Sequence, residues 1–139
     1  MKTKFLIAAL FSAAVGTFVL SSCKKEVDEL PLNQTIVGKW NFTSFKLDTS
    51  EYMGNLIDSA YIEYKATANG KSEFTQSVVF ADSDADVISG DYTVNDITKS
   101  VTMTTESKII SSTVTIKDDK MVFVSSQDGK PLIIKAEKE

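Results

Sequence analysis

Histidine and arginine are missing from this 139-residue chain, and cysteine occurs once, at position 23. These absences remove whole classes of chemistry. A serine triad needs an imidazole base, and so does a cysteine–histidine dyad. Histidine-ligated zinc goes with them, as does the forked arginine clamp on phosphate. A single thiol cannot close a disulfide within the chain. The folded part must therefore stand on its core alone. Proline occurs only twice and glycine six times, too few for a low-complexity or collagen-like segment.

What is present begins with an apolar leader. Lys2 and Lys4 precede a run from Phe5 to Leu20, softened by Ser12, Gly16 and Thr17. A charged start, an apolar middle and small residues before a cleavage point make the anatomy of a signal peptide. The run is short and interrupted for a spanning helix, which needs about 20 apolar residues. Leu20-Ser21-Ser22-Cys23 resembles the lipobox of bacterial lipoproteins. That resemblance implies cleavage after residue 22, acylation of Cys23 and a membrane partner held through the acyl anchor. It also implies two or three acyl chains, where one alone binds only marginally. Cleavage leaves 117 of the 139 residues and removes two of the 15 lysines, so the net charge moves from −4 to −6. The expected location is the outer membrane, facing either the periplasm or the cell surface.

Residues 23–34 read as a lipidated tether, with Lys24, Lys25, Glu26, Asp28 and Glu29, then Pro31, and no apolar period. Lys25-Glu26 followed by Asp28-Glu29 partly resembles the acidic surface-export signal found behind the acylated cysteine in some Gram-negative groups. A plain solvated linker uses the same residues.

From Ile36 the composition is that of β structure. Runs rich in Val, Ile, Thr, Tyr and Phe are separated by turn signals. Eight strands are expected, at Ile36–Leu47, Ala60–Ala66, Lys71–Phe80, Val87–Val94, Ser100–Thr105, Ile109–Lys117, Lys120–Ser125 and Pro131–Glu137. Asn69-Gly70, Asp118-Asp119 and Asp128-Gly129 supply residues that tolerate positive φ, as tight hairpin turns require. Alternation puts Phe74, Gln76, Val78 and Phe80 on one face, and Ile88, Gly90, Tyr92 and Val94 on another. Connections after Ala60 are too short for a crossover helix, so neighbours pair antiparallel as a meander. Closing eight such strands gives an all-β, antiparallel up-and-down barrel; a two-sheet sandwich uses the same alternation. Between the first two strands, Tyr52, Met53, Leu56 and Ile57 fall on one side of a helix. Asp48 and Glu51 are placed to cap it, with Gly54 against it, so Asp48 to Ser59 reads as a short helix or an ordered loop, a lid over one end.

Gly38-Lys39-Trp40 stands at the start of the first strand. Gly-x-Trp in this place resembles the signature of the lipocalins and their calycin relatives. Gly90-Asp91-Tyr92-Thr93-Val94 resembles a strand common in short lipocalin-like domains of bacterial lipoproteins. The likeness covers residues 35–139. It implies a barrel-closing role for Gly38 and Trp40, the glycine letting the chain turn in and the indole plugging the bottom. Lipocalins place an arginine late in the chain on that indole. Here Lys135 or Lys138 is left to cover it, through its aliphatic stem and a cation–π contact.

The remaining chemistry is sparse. Carboxylate pairs, as in glycosidases, survive the composition filter. Yet Asp82, Asp84, Asp86, Asp96, Asp118, Asp119 and Asp128 fall in turns, where solvation and turn geometry account for them. Asp82 to Asp86 resembles the first half of an EF-hand loop, but Val87 stands where glycine would bend it and Thr93 where the bidentate glutamate belongs. No enzyme, cofactor or metal site is expected. The acidic balance and the lack of a basic stripe argue against nucleic acid. The leading expectation is binding of a small hydrophobic or amphipathic molecule inside the barrel, by Phe42, Tyr64, Phe74, Gln76, Phe80, Tyr92 and Phe123. The alternative is an interaction or structural module with a solid core in an envelope complex.

Overall fold

The computed structural model describes residues 30–66 and 71–139. The leader, Cys23, most of the tether and the Asn69-Gly70 turn lie outside them. The unit Leu32–Glu139 opens with one helical turn, α1 (Leu32–Thr35). The strands are β1 (Gly38–Leu47), β2 (Ser50–Glu51), β3 (Ile57–Ala66), β4 (Ser72–Phe80), β5 (Ala85–Asn95), β6 (Ser100–Thr104), β7 (Ile109–Lys117), β8 (Lys120–Gln127) and β9 (Lys130–Lys138).

From β3 each strand pairs antiparallel with the next, and β1 pairs with both β3 and β9. Trp40 lies opposite Ile62 on β3 and opposite Lys138 on β9, and Leu47 lies opposite Leu132. This closes an eight-stranded antiparallel barrel, with β2 as an extra strand on β1. Closure decides between barrel and sandwich, and it comes from the β1–β9 ladder alone. A bulge between Phe42 and Ser44 lets β1 serve both neighbours. The turns follow the expected chemistry. Asp118, Asp119, Asp128 and Gly129 all adopt positive φ, the backbone that two-residue hairpins require.

The alternation resolves into an apolar interior and a polar outside. Trp40, Ile62, Phe74, Tyr92, Val101, Met103, Val114, Met121, Phe123, Ile134 and Ala136 are buried. Asn41, Glu63, Thr102, Thr113, Thr115 and Lys135, one residue out of phase with their apolar neighbours, are exposed or partly so. Burying one face of each strand is what drives the sheet to curl on itself.

One region differs from the sequence expectation. Residues 32–34 were expected in the tether and Ile36 at the start of the first strand; instead Leu32–Thr35 form α1, Leu32 and Ile36 lie in the core, and β1 begins at Gly38. Between β1 and β3, of the short helix and the ordered loop expected as alternatives, the ordered loop is the one that forms. Asp48 takes φ 58° as a turn residue and not a cap. The amides of Asn55, Leu56 and Ile57 converge on the Tyr52 carbonyl, while Gly54 donates to the Ile57 carbonyl. A helical stripe needs Leu56 inside, but Leu56 is exposed and Ile57 is buried. Pairing of Ile57 with Phe80 on β4 draws this end into the sheet, a tertiary contact that overrides the local period.

Candidate functional site

The loop over the top of the barrel is anchored by one carboxylate. Glu51 accepts hydrogen bonds from the Ser44 hydroxyl (2.5 Å), the Phe45 amide (2.8 Å) and the Met53 amide (3.1 Å). Partial burial works against its charge. The three donors and the nearby Lys46 ammonium outweigh that and hold its pKa below the ordinary value of 4.5. Tyr52 stacks edge-on against Phe45, with centroids 6.1 Å apart. The sequence signal for Glu51 was misleading: it resembled a helix-capping glutamate, yet its bonds run to β1.

The opposite end is plugged. Trp40 is fully buried, and its Nε1–H donates to the Ile36 carbonyl at 2.8 Å. Lys138 Nζ stands 5.2 Å from the indole centroid. Of the two lysines expected to cover the indole, Lys138 is the one that does. Gly38 has φ 134°, and a Cβ there would come within 2.8 Å of Lys138 Cε. The glycine is needed both for the turn into β1 and for the passage of that lysine stem. Gly38 and Trp40 thus meet at the barrel bottom, with α1 beneath them in the core through Leu32.

Between the two ends the interior is full. Phe42, Tyr64, Gln76 and Phe123, with Ile62, Met121 and Ile134, line a cavity of about 10 Å³. That is about the room one water needs. Phe74 and Tyr92 are buried in the same core but do not line that cavity. Tyr64 and Tyr92 meet edge to face at 4.9 Å. Burial, and then the neighbouring Tyr92, raise the Tyr64 phenol far above its ordinary 10.0. Its hydroxyl donates to Met103 Sδ, at 3.5 Å. Burial also raises Tyr92, against a hydrogen bond with Ser72. Both phenols are packing groups that stay protonated. Ser112, inward and buried, has a hydroxyl with no hydrogen-bond partner among the described residues.

Phe80 is the correction among the interior candidates. It shares the face of Phe74 and Val78 but is 40% exposed. The reason lies across the sheet. β5 is eleven residues long and β6 only five, and their ladder covers only Asp91–Asn95 against Ser100–Thr104. Nothing roofs the far end of the β4–β5 hairpin. Ile88, expected on an inward face, is exposed for the same reason, whereas Val87 is exposed because it lies on the outer face. The sequence expectation, Val87–Val94 against Ser100–Thr105, understated this difference in strand length and so did not foresee its consequence for burial.

An open groove of about 590 Å³ is lined by Asn33 of α1, Ala66, Lys71, Ser72 and Asp91–Val94. It lacks the enclosure that shields an apolar ligand from water. Among the described residues, no three of His, Cys, Asp or Glu converge as a metal site. Asp82 and Asp84 lie in the β4–β5 turn, and Asp86 already belongs to β5. The chain matches no protein-family model and no curated protein.

Proposed function

We propose that this chain is an outer-membrane lipoprotein, acylated on Cys23, whose lipocalin-like barrel works as a non-catalytic interaction module and not as a carrier. The observation that carries this reading is the filled interior. A cavity near 10 Å³ is far below the roughly 300 Å³ at which small-molecule sites begin. The distribution of polarity supports a tethered body. Outward residues such as Glu63, Thr113 and Lys135 are polar, and inward ones are mostly apolar, Gln76 and Ser112 being exceptions. An outer-membrane channel barrel has the reverse arrangement, with an apolar band outside. The Leu-Ser-Ser-Cys motif supplies the anchor and residues 24–31 the length to reach the barrel. The absence of histidine and arginine, with both buried tyrosines held protonated, supports a body without acid–base catalysis.

Native mass spectrometry of the protein from its own host tests this. The expected mass is that of residues 23–139 plus acyl chains, with no further bound component. A co-purifying lipid-like mass that survives in Cys23→Ala overturns the module reading in favour of a carrier. Acylation of Cys23→Ala itself overturns the anchor.

A further inference from the structure

Ala85–Ser89 is one of several stretches of the sheet paired on a single side. Ala85, Asp86, Val87, Ile88 and Ser89 pair with Val79, Val78, Ser77, Gln76 and Thr75 of β4. The β5–β6 ladder begins only at Asp91. Among the described residues, no backbone hydrogen bond reaches Ala85–Ser89 from any other strand or loop. Gly90 marks where the strands part. The Thr104 carbonyl there stands 2.0 Å from where a Cβ would be, so β6 closes tightly on β5 and then turns away into Thr105–Lys108.

Its side chains set this edge apart. All five residues are exposed, whichever face they occupy. Val87 is 57% exposed on the outer face and Ile88 36% on the inner one. Phe80, 40% exposed, stands on the inner face of the adjoining strand. Leu56 lies beside it, its carbonyl bonded to the Ala81 amide. An unpaired strand edge flanked by exposed aliphatic side chains is a template for one more strand.

The charges say what kind of strand. Asp82 and Asp84 lie at the start of the edge, and Asp86 is on its inner face, two residues from Ile88. The neighbouring Thr105–Lys108 turn carries Glu106 and Lys108 and is neutral overall. A second copy pairing antiparallel across this edge would bring Asp86 opposite Ile88, and one pairing in parallel would set Asp86 against Asp86; neither gives the carboxylate a partner, and an inward charge is a known guard against such self-pairing. A strand with lysines beside the aspartates and aliphatic residues beside Val87 and Ile88 would meet no such cost.

We propose that Ala85–Ser89 is a docking edge for an extended basic–aliphatic segment of a partner protein, which adds to the sheet as a strand. This rests on the module reading above and names the surface through which the module works. Five residues offer about 17 Å of edge at roughly 3.4 Å per residue. Backbone bonds supply the affinity and the aspartates the selection.

The probe is the peptide acetyl-Val-Thr-Val-Lys-Val-Lys-amide, with a control in which glutamate replaces both lysines. The full chain in detergent micelles is followed by amide hydrogen exchange and by anisotropy of labelled peptide. The expected result is slowed exchange confined to Ala85–Ser89 with the lysine peptide. Asp84→Lys combined with Asp86→Lys should raise its Kd at least tenfold and move the preference to the glutamate control. Both positions are exposed, so the fold is retained. Unchanged exchange at Ala85–Ser89, or slowing elsewhere, overturns the docking edge. Equal binding of both peptides overturns the basic partner. Slowing that grows with protein concentration and without peptide assigns the edge to a second copy and overturns the proposal. A lipid-like mass in the native spectrum, by contrast, sinks the module reading while leaving this exchange result as it stands.

Discussion

At one end of the barrel Trp40, Ile36 and Tyr64 keep no exposed surface, while at the other Phe80 and Ile88 keep 40% and 36% of theirs. All are large apolar residues set in the same alternating pattern. What separates them is the number of neighbours that the topology supplies. The closed end has β1 paired on both sides, α1 below and Lys138 folded across the indole. The open end has a hairpin that outruns its partner strand. Hydrophobicity sets what gains from burial; strand length and register decide what is buried.

That contrast is sharpest in a pair of truncations. Trp40→Ala should cost about 3–5 kcal/mol, as large-to-small changes in a packed core do. Ile88→Ala should stay within about 0.5 kcal/mol, as exposed positions do. Urea unfolding of both variants checks this, and similar midpoints would break the comparison between the ends. Gly90→Ala comes next. Its Cβ must displace the Thr104 carbonyl, so a loss of about 1–3 kcal/mol is expected, the range for overpacking, and seen as a lowered unfolding midpoint.

A smaller effect concerns the loop held by Glu51. Its folded pKa lies below 4.5, so its contribution is complete above that value and is lost as pH falls through the lowered folded value. Glu51→Gln should therefore be less stable than the parent at pH 7, and the gap should narrow as pH drops below 4.5 and through the lowered folded value, read by paired urea titrations. A gap independent of pH would mean that the side chain's shape, and not its charge, holds the loop. The smallest change is a gain. Ser112→Ala removes a buried hydroxyl that lacks a partner and should raise stability by up to about 1 kcal/mol. A loss instead would mean that the hydroxyl is satisfied in solution.

Much of this was legible in advance. The strand segments, their antiparallel order and the hairpin turns at Asp118-Asp119 and Asp128-Gly129 all follow from alternation and from residues that tolerate positive φ. Gly38 and Trp40 were picked out only through the resemblance that Gly-x-Trp carries at the start of the first strand, because the triplet alone is a weak signal. Less of the site was legible. Phe42, Tyr64, Gln76 and Phe123 do face one another, but alternation gives a direction and no volume. Whether inward aromatics leave room for a guest depends on how all eight strands interdigitate. The loop at Asp48–Ser59 was legible only as one of two alternatives, because four apolar residues at helical spacing also suit a turn whose ends are tied to β1 and β4.

Read alone, the residue order settled the class of structure, the exclusion of imidazole and guanidinium chemistry, and the polar and apolar faces of most strands. These are local properties: each depends on a residue's own chemistry and that of its near neighbours. Only the tertiary structure decided that β9 returns to β1, that Lys138 and not Lys135 crosses the indole, that the interior is filled, and that Ala85–Ser89 is left with one partner. Each of these is a long-range pairing or a sum of volumes, set when distant segments meet and written in no single stretch of the chain.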